Sequence, residues 1–134
     1  MYSKILVPVA PDHGSEGRRS MEVARKLLQA GGRITVLTVI EAVPSYVAQY
    51  LPEDRQETNR TEIEAELASR FGAADVAVAA RIGHPSRMIL DMAEADGYDC
   101  IIIDSHRPGL QDYFLGSTAA RVVRHAQCGV HVLR

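Results

Sequence analysis

The sequence predicts a single α/β domain: an open, doubly wound sheet of five parallel strands in the order 3-2-1-4-5, with helices on both faces. Three observations predict it. Five short apolar runs rich in β-branched residues recur along the chain, and most are continuous rather than alternating, as in strands buried on both faces. Segments of helical period separate them, giving β-α-β-α-β-α-β-α-β, the order that right-handed crossovers turn into a parallel sheet. Finally, 134 residues with 46 % apolar content suit one core and one domain, residues 1–134, with no repeat or low-complexity tract.

Taken in order, the first strand runs from Lys4 to Val9 and the first helix presents Met21, Ala24, Leu27 and Leu28 on one face, with Gly31-Gly32 placed to end it. The second strand covers Arg33 to Ile40. The connection from Glu41 to about Arg55 is long for an ordinary turn and carries Pro44, Tyr46, Tyr50 and Pro52. It reads either as a lid or contact surface, or as an excursion whose tyrosines cover the sheet. The second helix shows Ile63, Leu67 and Phe71 and stops at Gly72; the third strand spans Asp75 to Ala79. Pro85 suits the first turn of a third helix bearing Ile89, Met92 and Ala93. Cys100 to Asp104 is the fourth strand, Ala119, Val122, Val123 and Ala126 mark the fourth helix, and Gly129 to Leu133 is the fifth strand.

Charge and cysteine usage narrow the function classes. Lys and Arg total 15 against 17 Asp and Glu, scattered along the chain, which argues against a nucleic-acid partner, since phosphate backbones need a concentrated basic face. Cys100 and Cys128 lie in or beside apolar runs without a C-x-x-C partner and read as buried free thiols in a reducing cytosol. The start, Met1-Tyr2-Ser3-Lys4, enters a strand directly. No apolar segment approaches the roughly 18 residues of a membrane helix, so a soluble, cytoplasmic protein without a membrane partner is expected. The five histidines are scattered with no i, i+4 pair, which disfavours a metal site, and Ser105 beside His106 is not a nucleophile with a facing base.

The stretch that carries chemistry is Ile101 to Thr118, which reads strand, loop, helix start. In a doubly wound sheet ligands bind beyond the carboxyl ends of the strands where the order reverses, here between strands 1 and 4. Gly116 permits close approach of a ligand, and Ser117 and Thr118 sit where a helix leaves its first N–H groups unpaired, a place that attracts anions. Arg107 could add a charged hydrogen bond to phosphate. The plainer use of these residues is that Ser117 or Thr118 caps the helix and Gly116 makes the turn.

Ile5-Leu6-Val7-Pro8-Val9, Leu37-Thr38-Val39, Gly83-His84-Pro85 and the run from Ile101 to Arg134 resemble the universal stress protein family over nearly the whole chain. Leu115 to Ala126 is the most distinctive part; Ser105-His106-Arg107-Pro108 resembles a branch with a non-glycine loop. The resemblance implies a fold like that of the adenine nucleotide alpha hydrolases, a dimer through the last strand or a dimer of dimers, and ATP, ADP or AMP as ligand, with Mg²⁺ as the accompanying ion. Pro8, Val9 and Val39 would border the adenine and Gly83 would line the same cleft. Ser105, His106 and Arg107 would lie beside ribose and phosphates, with Gly116, Ser117 and Thr118 cradling the phosphates.

Two departures from the family pattern involve three positions. Asp104 and Arg107 occupy the places of two early glycines in G-x-x-G, and Ala10 stands where an aspartate usually follows Pro-Val, so that Asp12 or Asp104 is the candidate substitute carboxylate toward the ribose. No Walker-type motif is present and Lys4 and Lys26 are the only lysines, which ranks a stress-related, nucleotide-responsive binding module above a weak ATPase. A dimeric scaffold that has lost its nucleotide is the third reading.

Overall fold

The computed structural model describes residues 1–11, 17–105 and 116–134. Its elements are β1 (Tyr2–Pro8), α1 (Arg18–Leu27), β2 (Leu28–Glu41), α2 (Ser45–Ala48), α3 (Arg55–Phe71), β3 (Val76–Gly83), α4 (Pro85–Ala95), β4 (Cys100–Asp104), α5 (Ser117–His125) and β5 (Gly129–Leu133). The strands form one parallel sheet in the order β3-β2-β1-β4-β5, as the alternation of elements predicts.

The continuous apolar runs are explained by two cores, one on each face. Ile5 and Val7 of β1, Ile34 and Val36 of β2, and Cys100 and Ile102 of β4 join Ala24 of α1 and Leu67 of α3. The alternate residues Leu6, Leu37, Ile101 and Ile103 join Ile89 and Ala93 of α4 and Ala119 and Val122 of α5. Successive side chains of a strand point to opposite faces, so a strand covered on both sides has no polar position to spare. Val123, expected on the apolar face of the last helix, is 45 % exposed, and Cys128 is half-buried where Cys100 is buried. Burial, with smaller contributions from Cys128 and Asp99, pushes the Cys100 thiol up to about 11.

Besides shifts of one or two residues, such as β1 over Tyr2–Pro8 where the sequence predicts Lys4 to Val9, three boundaries differ from the sequence expectation. The helix α1 ends at Leu27, and Leu28, expected on its face, already opens β2 with extended backbone. Gly31-Gly32 therefore do not end that helix. They lie in an irregularity of β2 against β1, where the pairing moves from Tyr2↔Leu28 to Lys4↔Arg33. Gly31 has φ +79°, and a Cβ on Gly32 would come within 2.9 Å of the Ser3 carbonyl, so the glycines serve a bulge that local periodicity does not reveal. Further on, β3 extends to Gly83, and the long connection contains the short helix α2. Gly72 and Pro85 do stand at the end of α3 and the start of α4.

The amino edge of the sheet is tied by Asp99, whose carboxylate accepts hydrogen bonds from Ser3 N–H (2.9 Å), Ser3 Oγ (2.9 Å) and Lys4 N–H (3.0 Å). Burial works to raise its pKa, but these donors together outweigh it and hold the carboxyl below its usual value. The two sheet edges are treated differently. On β3, Ala80 N–H donates to Glu64 and Ala80 C=O accepts from Arg60, so charged side chains of α3 occupy that edge. Among the described residues, the hydrogen bonds of β5 run to the β4 side.

Candidate functional site

The carboxyl end of the sheet holds the site. Strands β1 and β4 pair only at Ile5↔Cys100 and Leu6↔Ile101. Beyond that point each stays with its outer neighbour, β1 with β2 as far as Pro8↔Leu37 and β4 with β5 as far as Asp104↔Leu133. The two central strands thus part, and their crossovers leave to opposite faces. This is the crevice that a reversal of strand order creates.

Its β1 wall is Pro8, Val9 and Ala10, half-buried, half-buried and exposed. The chain is held there by β2: Val9 N–H donates to Leu37 O (2.8 Å), and Val9 C=O accepts from Thr38 Oγ1 (3.1 Å). Thr38 has no exposure at all, so its hydroxyl must have a partner inside, and Val9 is that partner. Sequence reasoning assigned Thr38 no role; a hydroxyl inside a run buried on both faces was the available signal. Gly17, also missed, precedes α1 with φ +97°, and a Cβ there would lie 2.9 Å from both Val9 Cγ1 and Phe71 Cζ. Its lack of a side chain seats the start of α1 behind the β1 wall.

On the β4 wall, Asp104 is half-buried at the strand end. Ser105 is buried, and both its N–H (2.8 Å) and its Oγ (2.9 Å) donate to Leu133 O of β5. That hydroxyl proton is turned to the sheet. The remaining wall is the start of α5. Its N-cap is Gly116, among the described residues no side chain caps the first turn, and no acidic residue lies in it. Ser117 and Thr118 are therefore inside the helix and do not cap it, and their amides keep the donor capacity of an uncapped terminus. Ala119 and Val122 anchor the helix in the core beside Leu6 and Ile101.

Two other residues stand apart. Val39 is buried, at 8 % exposure, in the core under α4 and α5. Gly83 ends the edge strand β3 opposite Glu41, two strand spacings or about 10 Å from β1, with Met88 Cε 2.7 Å from the place of a Cβ. The structure thus gathers Pro8, Val9, Ala10, Asp104, Ser105, Gly116, Ser117 and Thr118 around the crevice. Asp12, His106 and Arg107 lie outside the described residues. Among the described residues, no group of three or more His, Cys, Asp or Glu side chains is placed to hold a metal ion, and no helix is long and apolar enough to cross a membrane.

Comparison with known proteins decides the family, because the family model described as "Universal stress protein family" matches residues 1–134. The chain belongs to the universal stress protein family. Among its relatives is universal stress protein A homolog 2 of Coxiella burnetii, 31 % identical over 147 aligned positions that cover 99 % of this chain and 95 % of the relative. Of solved structures, universal stress protein UspA from Lactobacillus plantarum superposes with a TM-score of 0.78 at 23 % identity, covering 99 % of this chain and 98 % of that one. The universal stress protein from Archaeoglobus fulgidus in complex with dAMP superposes at 0.61 and 21 % identity, covering 99 % and 98 %. The shared fold is the five-stranded parallel sheet described above.

Proposed function

We propose that this universal stress protein binds an adenine nucleotide, ATP foremost, in the crevice between β1 and β4, and acts as a cytoplasmic stress-response module whose nucleotide state alters its partners. The observation that carries the proposal is the parting of β1 and β4 after Leu6 and Ile101, with, at the same end of the sheet, a first turn of α5 that no side chain among the described residues caps. A flat base needs an apolar slot, which Pro8 and Val9 offer. Phosphate needs oriented donors, which the Ser117, Thr118 and Ala119 amides and the two hydroxyls offer. The dAMP complex of the Archaeoglobus relative supports the same ligand class. In this reading Mg²⁺ arrives with the triphosphate.

Among the described residues no strand pairs with the outer edge of β5, which supports a second element of the proposal, a homodimer or dimer of dimers through that strand. The β3 edge is occupied by Arg60 and Glu64 while β5 carries half-buried Val130 and Val132, so pairing of β5 with its copy would satisfy backbone and cover apolar surface together.

Titration calorimetry with ATP and adenosine tests the binding site. The wild type is expected to prefer ATP, and a Ser117→Ala, Thr118→Val double variant to bind adenosine about as before while losing most of that preference. Equal preference in both proteins would place the phosphates elsewhere, and no binding of either ligand would remove the proposal.

A further inference from the structure

The connection between β2 and α3 carries a feature that the crevice described above does not use. Residues 42 to 52 contain no charge and are flanked by Glu41 and Glu53. None of the residues from Glu41 to Arg55 is buried. Past Glu41, which pairs with Gly83 of β3, their backbone hydrogen bonds are local: Val47 and Ala48 N–H to Pro44 O, Tyr50 to Val47, Leu51 to Ala48 and Arg55 to Pro52. The segment is thus a helical turn joined to the body through its two roots and a row of half-buried side chains, Val43, Val47 and Leu51, spaced four apart.

A second row, Tyr46 and Tyr50, also spaced four apart, stands 70 % and 81 % exposed. At that exposure these tyrosines do not cover the sheet, and two large aromatics on one uncharged turn leave apolar surface in water that a ligand could cover. What such a pair fits is a flat, uncharged, polarisable surface. The root of the segment, Glu41, ends β2, the strand next to β1, at the carboxyl edge of the sheet. The crevice lies one to two strand spacings to the side, about 5–10 Å, and Glu41 stands four residues, about 13 Å, beyond Leu37, the partner of Pro8. Tyr46 is five positions past Glu41, and with Ala42 to Pro44 extended at about 3.3 Å per residue and Ser45 and Tyr46 at the rise of about 1.5 Å in α2, the backbone spans at most about 13 Å.

We infer that Tyr46 and Tyr50 are base-stacking residues on a lid that closes over the adenine end of the β1–β4 crevice. The inference rests on the adenine-nucleotide reading of that crevice and adds the group that would cover the base. Stacking is indifferent to the phosphates, so the lid tightens adenosine and ATP alike. Base stacking on an aromatic side chain is large enough for its removal to read as about tenfold in affinity.

The test uses the whole protein with ATP and adenosine as probes. A Tyr46→Ala, Tyr50→Ala variant is expected to bind both about tenfold more weakly, and Tyr46→Phe, Tyr50→Phe to bind as the wild type. Chymotrypsin, which cuts after Tyr, should cleave the segment at Tyr46 and Tyr50 more slowly in saturating ATP. If the wild type binds both ligands but the alanine variant binds them equally well and cleavage is unchanged, the lid is wrong while the nucleotide site stands. Weakening confined to ATP also overturns it. If the wild type binds neither ligand, site and lid fall together.

Discussion

Thr38→Val is the substitution that most directly probes how the crevice wall is built. Valine has nearly the shape of threonine and suits a buried strand, so the change removes little besides the hydroxyl that bonds Val9 C=O at 3.1 Å. A hydrogen bond of this kind contributes about 1 kcal/mol net, and leaving its acceptor unpaired in a dry site costs about 1–3 kcal/mol. Val9 is half-buried, so water partly replaces the lost donor and the expected loss is about 1–1.5 kcal/mol, or about 5 °C in Tm for a domain of this size. Thr38→Ser is the control. It keeps the bond and loses a buried methyl group, about 1 kcal/mol, so it should be destabilised to a similar degree.

Ligand binding separates the two variants. With its carbonyl untethered, the Pro8-Val9-Ala10 wall loses its fixed position, and Thr38→Val should bind adenosine about fivefold more weakly, whereas Thr38→Ser should bind as the wild type. Thermal denaturation and calorimetry on the three proteins decide it. A valine variant as stable as the wild type, or one with unchanged adenosine affinity, would refute the view that Thr38 positions this wall.

Ser105→Ala should lower stability by about 1 kcal/mol through loss of the bond to Leu133 while leaving adenosine affinity within about twofold; a large loss of affinity would return Ser105 to the ligand. Gly17→Ala forces a side chain onto φ +97° and against Val9 and Phe71, and chemical denaturation should report a loss of about 2–3 kcal/mol; a neutral result would show that this approach to the β1 wall is not needed. The depressed pKa of Asp99 means its stabilisation is fully present above the ordinary value of 3.8 and lost as pH falls through the folded value. Asp99→Asn should therefore be less stable at neutral pH with a shallower acid decline, and an equally steep decline would assign acid sensitivity to other carboxylates. Cys100, raised by burial, should resist iodoacetamide at neutral pH until the protein is denatured, with half-buried Cys128 reacting first; equal native rates would contradict the burial.

Much of the candidate site was legible because its positions follow from topology. Once strands and helices alternate, the crevice must lie past the ends of strands 1 and 4, and Pro8, Val9, Ala10, Asp104 and Gly116 to Thr118 fall there by chain order. The roles of individual side chains were less legible. Ser105 was read toward the ribose, yet its hydroxyl bonds Leu133; Val39 was read beside the base, yet its side chain is buried in the core. Ser117 and Thr118 were weighed as caps, and Gly116 took that position.

The sequence by itself determined the elements and their layering, because hydrophobic period and the turn residues Gly72 and Pro85 act over a few neighbouring residues and are written where they act. Tertiary structure alone decided which groups meet. Thr38 finds Val9 across 29 residues, and Ser105 finds Leu133 across 28. Gly31-Gly32 become a bulge only because β1 lies alongside. Each of these depends on the register between strands distant in the chain, and register is set by how whole faces pack, which no local pattern encodes.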